Sequence, residues 1–148
     1  MTIALDIGLG LALIVLCWID IRQMILPDWL TLPLQAAGLL AGFLEHRPLV
    51  PLIVGLATGY LSFVGIEWTY RRVRGRDGLG RGDAKLFAAA GAWVGWAGLP
   101  SVILIGCPAA LAFVLARRWP ADRPLPFGPF LALGFFMVRL FGPLGFDA

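Results

Sequence analysis

Nine carboxylate side chains occur among 148 residues, and two of them, Asp20 and Asp83, stand at the edges of apolar segments where a charge is costly. Asp20 closes one such segment in the run Trp18-Ile19-Asp20-Ile21-Arg22, and Asp83 opens another after Gly80-Arg81-Gly82. An aspartate at the centre of a membrane helix costs about 2.5–3.5 kcal/mol on insertion scales, so an acid near lipid calls for a partner or a task. Structural tasks exist for both: Asp83 suits a helix N-cap, and Asp20 suits an interfacial pairing with Arg22. Helix electrostatics separates them. An aspartate at a helix C-terminus meets the negative end of the macrodipole and one at an N-terminus meets the positive end. If the two meet, they cannot both ionise readily, and this asymmetry puts the proton on Asp20 and the charge on Asp83. Such a pair supports acid–base chemistry, one member activating water while the other polarises a carbonyl.

The neighbours of the two acids suggest how a site would be shaped. Gly80 and Gly82 let the backbone before Asp83 approach an extended peptide, or simply form a flexible loop. Asp28 follows Pro27 and precedes an apolar run, which predicts a helix N-cap. Lys85 lies two positions after Asp83, roughly 200° around a helix, so it points away from that carboxylate and reads as a snorkelling anchor. Cys17 and Cys107 lie in separate apolar runs without a C-x-x-C spacing, which excludes a zinc ribbon or a disulfide framework. The single histidine, His46, lies in a Glu-His-Arg-Pro loop and removes zinc chemistry that needs two histidines. Neither a metal nor a cofactor is expected.

These residues must be carried by elements that suit lipid. The chain is 59% hydrophobic and 14% charged with mean hydropathy +0.85, against roughly 25% charged residues in a water-soluble domain. It therefore reads as an all-α polytopic membrane protein, a single domain over residues 1–148, without internal repeats. Six spans are predicted: Thr2–Ile19, Trp29–Leu44, Leu49–Tyr70, Ala84–Gly98, Pro100–Ala116 and Phe127–Leu140. The first lacks a basic leader region and is expected to stay attached. Ten of the twelve Lys and Arg residues fall at the loops after spans 1, 3 and 5, leaving Arg47 and Arg139 for the other side. The positive-inside rule then puts both termini outside and the three basic loops in the cytoplasm. Asp20 and Asp83 share the cytoplasmic boundary, while Asp6, Glu45 and Asp147 fall at outer ends. The net charge of +3 marks topology, and nucleic acid is not an expected partner because the basic residues lack an interleaved stacking platform.

The segment Gly78-Leu-Gly-Arg-Gly-Asp-Ala-Lys-Leu-Phe-Ala-Ala-Ala-Gly-Ala-Trp-Val-Gly95 resembles the Gly-x-Gly-Asp-x-Lys-Leu motif of prepilin peptidases, the membrane aspartic proteases that process type IV prepilins. Asp20-Ile-Arg with Ile25-Leu26-Pro27-Asp28 resembles that family's other aspartate segment. Pro126-Phe127-Gly128-Pro129-Phe130-Leu131 resembles the motif that opens its last helix. The three matches occur in the family's order and run from Asp20 to about Gly134. The resemblance implies that Asp20 and Asp83 are the catalytic pair. Gly80, Gly82, Pro27, Asp28 and Lys85 become candidates for binding substrate or shaping loops. It further implies cleavage of a short basic leader from a prepilin-like precursor, whose hydrophobic N-terminal helix stays in the membrane. The setting would be the cytoplasmic face of a prokaryotic inner membrane. The arginines at 71, 72, 74, 76 and 81 sit awkwardly for a cationic leader and are expected to face anionic lipid headgroups. Longer members of the family carry a cysteine-bearing cytoplasmic insertion and also methylate the new N-terminus. This chain begins almost directly at the span bearing Asp20, so a peptidase without methyltransferase activity is expected.

Two readings from other classes compete. The chain would serve as a catalytically silent membrane component of a pilus or secretion machine if its carboxylates are structural. It would serve as a small proton or ion pathway if Asp20 and Asp83 line a conduit.

Overall fold

A computed structural model describes residues 2–75 and 80–145; Arg76, Asp77, Gly78, Leu79 and Asp147 lie outside the described residues. The described chain is helical, with α1 (Thr2–Gln23), α2 (Asp28–Leu44), α3 (Leu49–Arg74), α4 (Arg81–Val94), α5 (Leu99–Arg117) and α6 (Gly128–Phe141), and no strand occurs among these residues. A single 3-10 turn, Trp96–Gly98, joins α4 to α5. Each predicted apolar run is thus one helix, with shifted ends. The first helix continues past Ile19 to Gln23, so Asp20 lies inside α1 nearly one turn before its end. The fourth stops at Val94 because Gly95 turns the chain with φ +79°, a backbone region open mainly to glycine.

Contacts between the helices establish an alternating arrangement. The Gly55 and Gly59 backbones abut Gly91 and Phe87 respectively, so α3 runs antiparallel to α4. Gly106 abuts Phe130 while Gly98 abuts Val138, so α5 runs antiparallel to α6. Helix α4 is the centre of the bundle, and every residue from Leu86 to Trp93 is buried. Its run of alanines and Gly91 permits this, since small residues let backbones approach closely. A Cβ on Gly91 would lie 2.0 Å from the Gly55 carbonyl oxygen. The outer helices are apolar on their exposed sides as well: Ile14, Leu61, Leu111 and Leu115 are all exposed. Three stretches, Ile3–Gln23, Leu49–Arg74 and Trp96–Arg117, are long and apolar enough to cross a membrane, and Gly128–Phe141 is a shorter apolar helix. Exposed apolar surface on helices of this length is what a multi-pass membrane protein presents to lipid.

One end of the bundle is tied by a cluster of charges. The Arg139 guanidinium donates from Nε to Asp6 Oδ1 at 2.8 Å and from Nη1 to Glu45 Oε2 at 3.0 Å, with a second bond to Glu45 from Nη2. It also lies 5.4 Å from the centre of the Trp93 ring. Arg47 donates to the Trp93 carbonyl at 2.7 Å, and the Trp93 indole N–H donates to the Leu34 carbonyl at 2.9 Å. Arg139 holds the Glu45 carboxyl below the usual glutamate range. The two cations that read as remnants of charge sorting therefore join α1, the end of α2, α4 and α6.

Candidate active site

The opposite end of the same helices holds Asp20 and Asp83. The chain leaves α1 through Met24, which takes a left-handed conformation at φ +55°, uncommon for a side chain of that size. It then passes Ile25 and the buried Leu26 to Pro27, whose extended backbone leads into α2. Gly82 packs directly on this linker: a Cβ there would lie 2.7 Å from the Leu26 Cβ. Glycine in the first turn of α4 is thus what lets the linker and the helix meet. Lys85 Nζ, one turn further along the same end of α4, pairs with the Asp28 carboxylate. The Gln35 amide on α2 donates to the Lys85 carbonyl at 3.0 Å. Between linker and helix lies a cavity of about 280 Å3, lined on one side by Asp20, Met24, Ile25 and Leu26. Gly80, Arg81, Gly82, Asp83 and Lys85 line the other.

Asp20 is 5% exposed, and its Oδ2 accepts a hydrogen bond of 3.0 Å from the backbone N–H of Gly128. Gly128 is the first residue of α6, so Asp20 meets the positive end of that helix as well as the negative end of its own. Only the second of these is visible from local sequence. The Gly128 donor favours a charge on Asp20, against the sequence expectation that put the proton there. Arg22 does not take the pairing role that competed for Asp20; its guanidinium lies 4.5 Å from the centre of the Trp18 ring. Asp20 and Asp83 both line this one cavity.

Several sequence expectations change in detail. Asp83 sits inside the first turn of α4, whose N-cap is Gly80, so it does not occupy the capping position. Asp28 likewise is the first residue of α2, the N-cap is Pro27, and no side chain caps that helix. The Asp28 carboxylate instead reaches across to Lys85, which is accordingly an ion-pair partner rather than a lipid anchor. Pro27 and Asp28 stay outside the cavity, while Gly80, Gly82 and Lys85 line it. Arg81, grouped with the lipid-facing arginines, is a cavity residue. Gly128 is the site residue that sequence reasoning missed. Its available signal was Gly-Pro at a helix start, where an unpaired backbone donor is expected.

Known proteins resemble this chain over most of its length. Residues 7–115, which include both aspartates, match the type IV leader peptidase family. A "Prepilin leader peptidase/N-methyltransferase" of Aeromonas salmonicida (strain A449) is 40% identical over 135 residues, covering 88% of this chain and 46% of that protein. Its namesake in Burkholderia pseudomallei (strain 1026b) is 43% identical over 140 residues, covering 91% and 45%. The one from Xanthomonas campestris pv. campestris is 37% identical over 141 residues, covering 92% and 49%. The chain therefore spans about half the length of the curated relatives it matches. No solved structure matches it. With a family match over residues 7–115, the chain belongs to the type IV leader peptidase family.

Proposed function

We propose that this chain is a membrane aspartic endopeptidase that removes the leader peptide from type IV prepilin-like precursors, using Asp20 and Asp83 as a dyad. The observation that carries the reading is the cavity lined by both carboxylates, although they lie on different helices and 63 positions apart. A protein that uses the two acids structurally has no need to open a cavity between them. In the proposed reaction one carboxylate, ionised, takes a proton from water as the oxygen attacks the scissile carbonyl. The other, protonated, donates to the carbonyl oxygen. When the tetrahedral species collapses, the C–N bond breaks and the departing amine receives a proton from the dyad.

Placement in the membrane follows from charge and aromatic residues. Six crossings, with both termini outside, put the ends of α1, α3 and α5 in the cytoplasm of a prokaryotic inner membrane together with the dyad. Three Trp–Arg pairs support a common interface there. Arg22 lies over Trp18, Arg72 lies 4.8 Å from the Trp68 ring centre, and Arg123 lies 5.8 Å from that of Trp119. Tryptophan favours the headgroup level, and arginine beside it favours anionic lipid. Helix α4 has 14 residues, about 21 Å of helix against a hydrocarbon core of about 30 Å. With its outer end at the opposite interface, Asp83 is drawn beneath the inner headgroups, where water is limited and a precursor's hydrophobic helix can lie alongside.

Co-expression with prepilin-like precursors, read as a size shift, tests this function. Wild type should shorten its precursor, whereas Asp20→Asn and Asp83→Asn should leave it full length. Cleavage that survives either substitution would contradict the dyad.

A further inference from the structure

Resting on that reading, we propose that Gly128 is a positioning residue for the reaction: its backbone N–H holds the Asp20 carboxylate facing the cavity it shares with Asp83. The bond joins residues 108 positions apart, with a donor–acceptor distance of 3.0 Å and both ends buried. The start of α6 is built to leave this one donor available. Residue 129 is proline and has no N–H, and the amides of Phe130 and Leu131 both turn back to the Phe127 carbonyl at 3.1 Å. Gly128 is therefore the first-turn amide that remains to meet a side chain, and Asp20 is what it meets. Position 128 also has no room for anything larger. A Cβ would lie 2.6 Å from Asp20 Oδ2 and 3.0 Å from its Cγ, so any side chain would have to displace the carboxylate. Arg139 near the other end of α6 is bonded to Asp6 on α1, a contact that opposes sliding of α6 to make space. The surroundings are equally fixed, with Leu16 and Leu131 fully buried. Helix α6 thus contributes no reacting group, yet it determines where one of the two carboxylates points.

The experiment compares precursor cleavage by purified, lipid-reconstituted wild type with two changes at position 128. Gly128→Ala displaces the carboxylate. Replacement of the residue by glycolic acid in cell-free synthesis turns the amide into an ester, which removes the N–H without adding an atom that clashes. Both should lower kcat while leaving KM near wild type. In the ester variant the loss should be about ten- to a hundred-fold, the size expected for a hydrogen bond to an ionised group. The ester variant keeps the test decisive if Gly128→Ala fails to fold. Wild-type kcat in the ester variant, or a rise in KM with kcat unchanged, would overturn the positioning role. Asp20→Asn and Asp83→Asn measured alongside separate the two proposals. Cleavage by either of these refutes the dyad itself, whereas inactivity of both with an unimpaired ester variant refutes the role of Gly128 alone.

Discussion

A carboxylate used as an acid or base needs a fixed direction, and Asp20 takes its direction from a backbone amide rather than from the cation two residues away. The Lys85–Asp28 pair does a related job for the linker between α1 and α2, which forms one wall of the cavity. The Asp28 side chain is 59% exposed and that of Lys85 is 24% exposed, so the pair is open to water on the Asp28 side, and exposed pairs contribute about 0–1 kcal/mol. Lys85→Met should therefore slow cleavage by less than about ten-fold, in contrast to the loss expected at either aspartate. The exchange Lys85→Asp with Asp28→Lys should restore most of the rate, and failure of the exchange to recover any activity would show that the pair is not the reason Lys85 matters. At this scale the sequence was informative where a residue carries its own cost. Asp20 and Asp83 stood out because acids are dear near lipid. Helical geometry turned Lys85 away from Asp83, and no such ion pair occurs among the described residues, but an angle on one helix could not show that Asp28, 57 positions earlier, lay in its path. The Gly128 contact was hidden for the same reason, since it exists only once α1 and α6 pack.

Among the elements, α4 depends most on small residues. The Gly55–Gly91 crossing brings two backbones together, and a Cβ on Gly91 would come within 2.0 Å of a carbonyl oxygen that has no flexible end to move aside. Gly91→Ala should destabilise the protein by about 1–3 kcal/mol, the usual range for overpacking, read as a lower unfolding midpoint in detergent. Gly65→Ala on α3 is the control: nothing lies within 4 Å of its Cβ position, and its midpoint should stay near wild type. Equal midpoints for the two variants would contradict the close crossing. Gly82→Ala should also lose stability, because its Cβ would press on Leu26 beside the cavity. All six helices could be read from apolar runs broken by proline, glycine and charge. Their ends could not. Apolarity fades after Ile19, but the backbone stays helical to Gln23, and that extra turn carries Asp20 to the start of α6. Gly95, rather than Gly98 where the predicted span closes, ends α4, since it alone in that stretch adopts positive φ.

Across the whole molecule the helices are fastened at two ends by different chemistry, charge pairs around Arg139 at one and the carboxylate cavity at the other. The first end gives a pH dependence with a definite sign. Arg139 holds the Glu45 carboxyl below its value in the unfolded chain, so this contribution to stability is complete above the ordinary glutamate range and is lost as the pH falls through the lowered folded value. Thermal unfolding followed from pH 7 to pH 3 should show an acid limb that Glu45→Gln flattens, the variant starting from lower stability at pH 7. An unchanged acid limb would exclude Glu45 as a contributor. Asp6, Glu45, Arg47 and Arg139 were each assigned to one side of the membrane by charge sorting, which counts charges and does not pair them, so their network emerged only from the packed bundle. The bundle's central property is that α1 and α4 deliver Asp20 and Asp83 to one cavity. Paired cysteines test it most directly: Asp20→Cys with Asp83→Cys, in a background in which Cys17 and Cys107 are replaced by serine, treated in native membranes with a short thiol-reactive cross-linker. Efficient linkage of positions 20 and 83, with none for the control pair Asp6→Cys and Asp83→Cys at opposite ends of the bundle, is the expected result. Linkage of the control pair with none between 20 and 83 would contradict it.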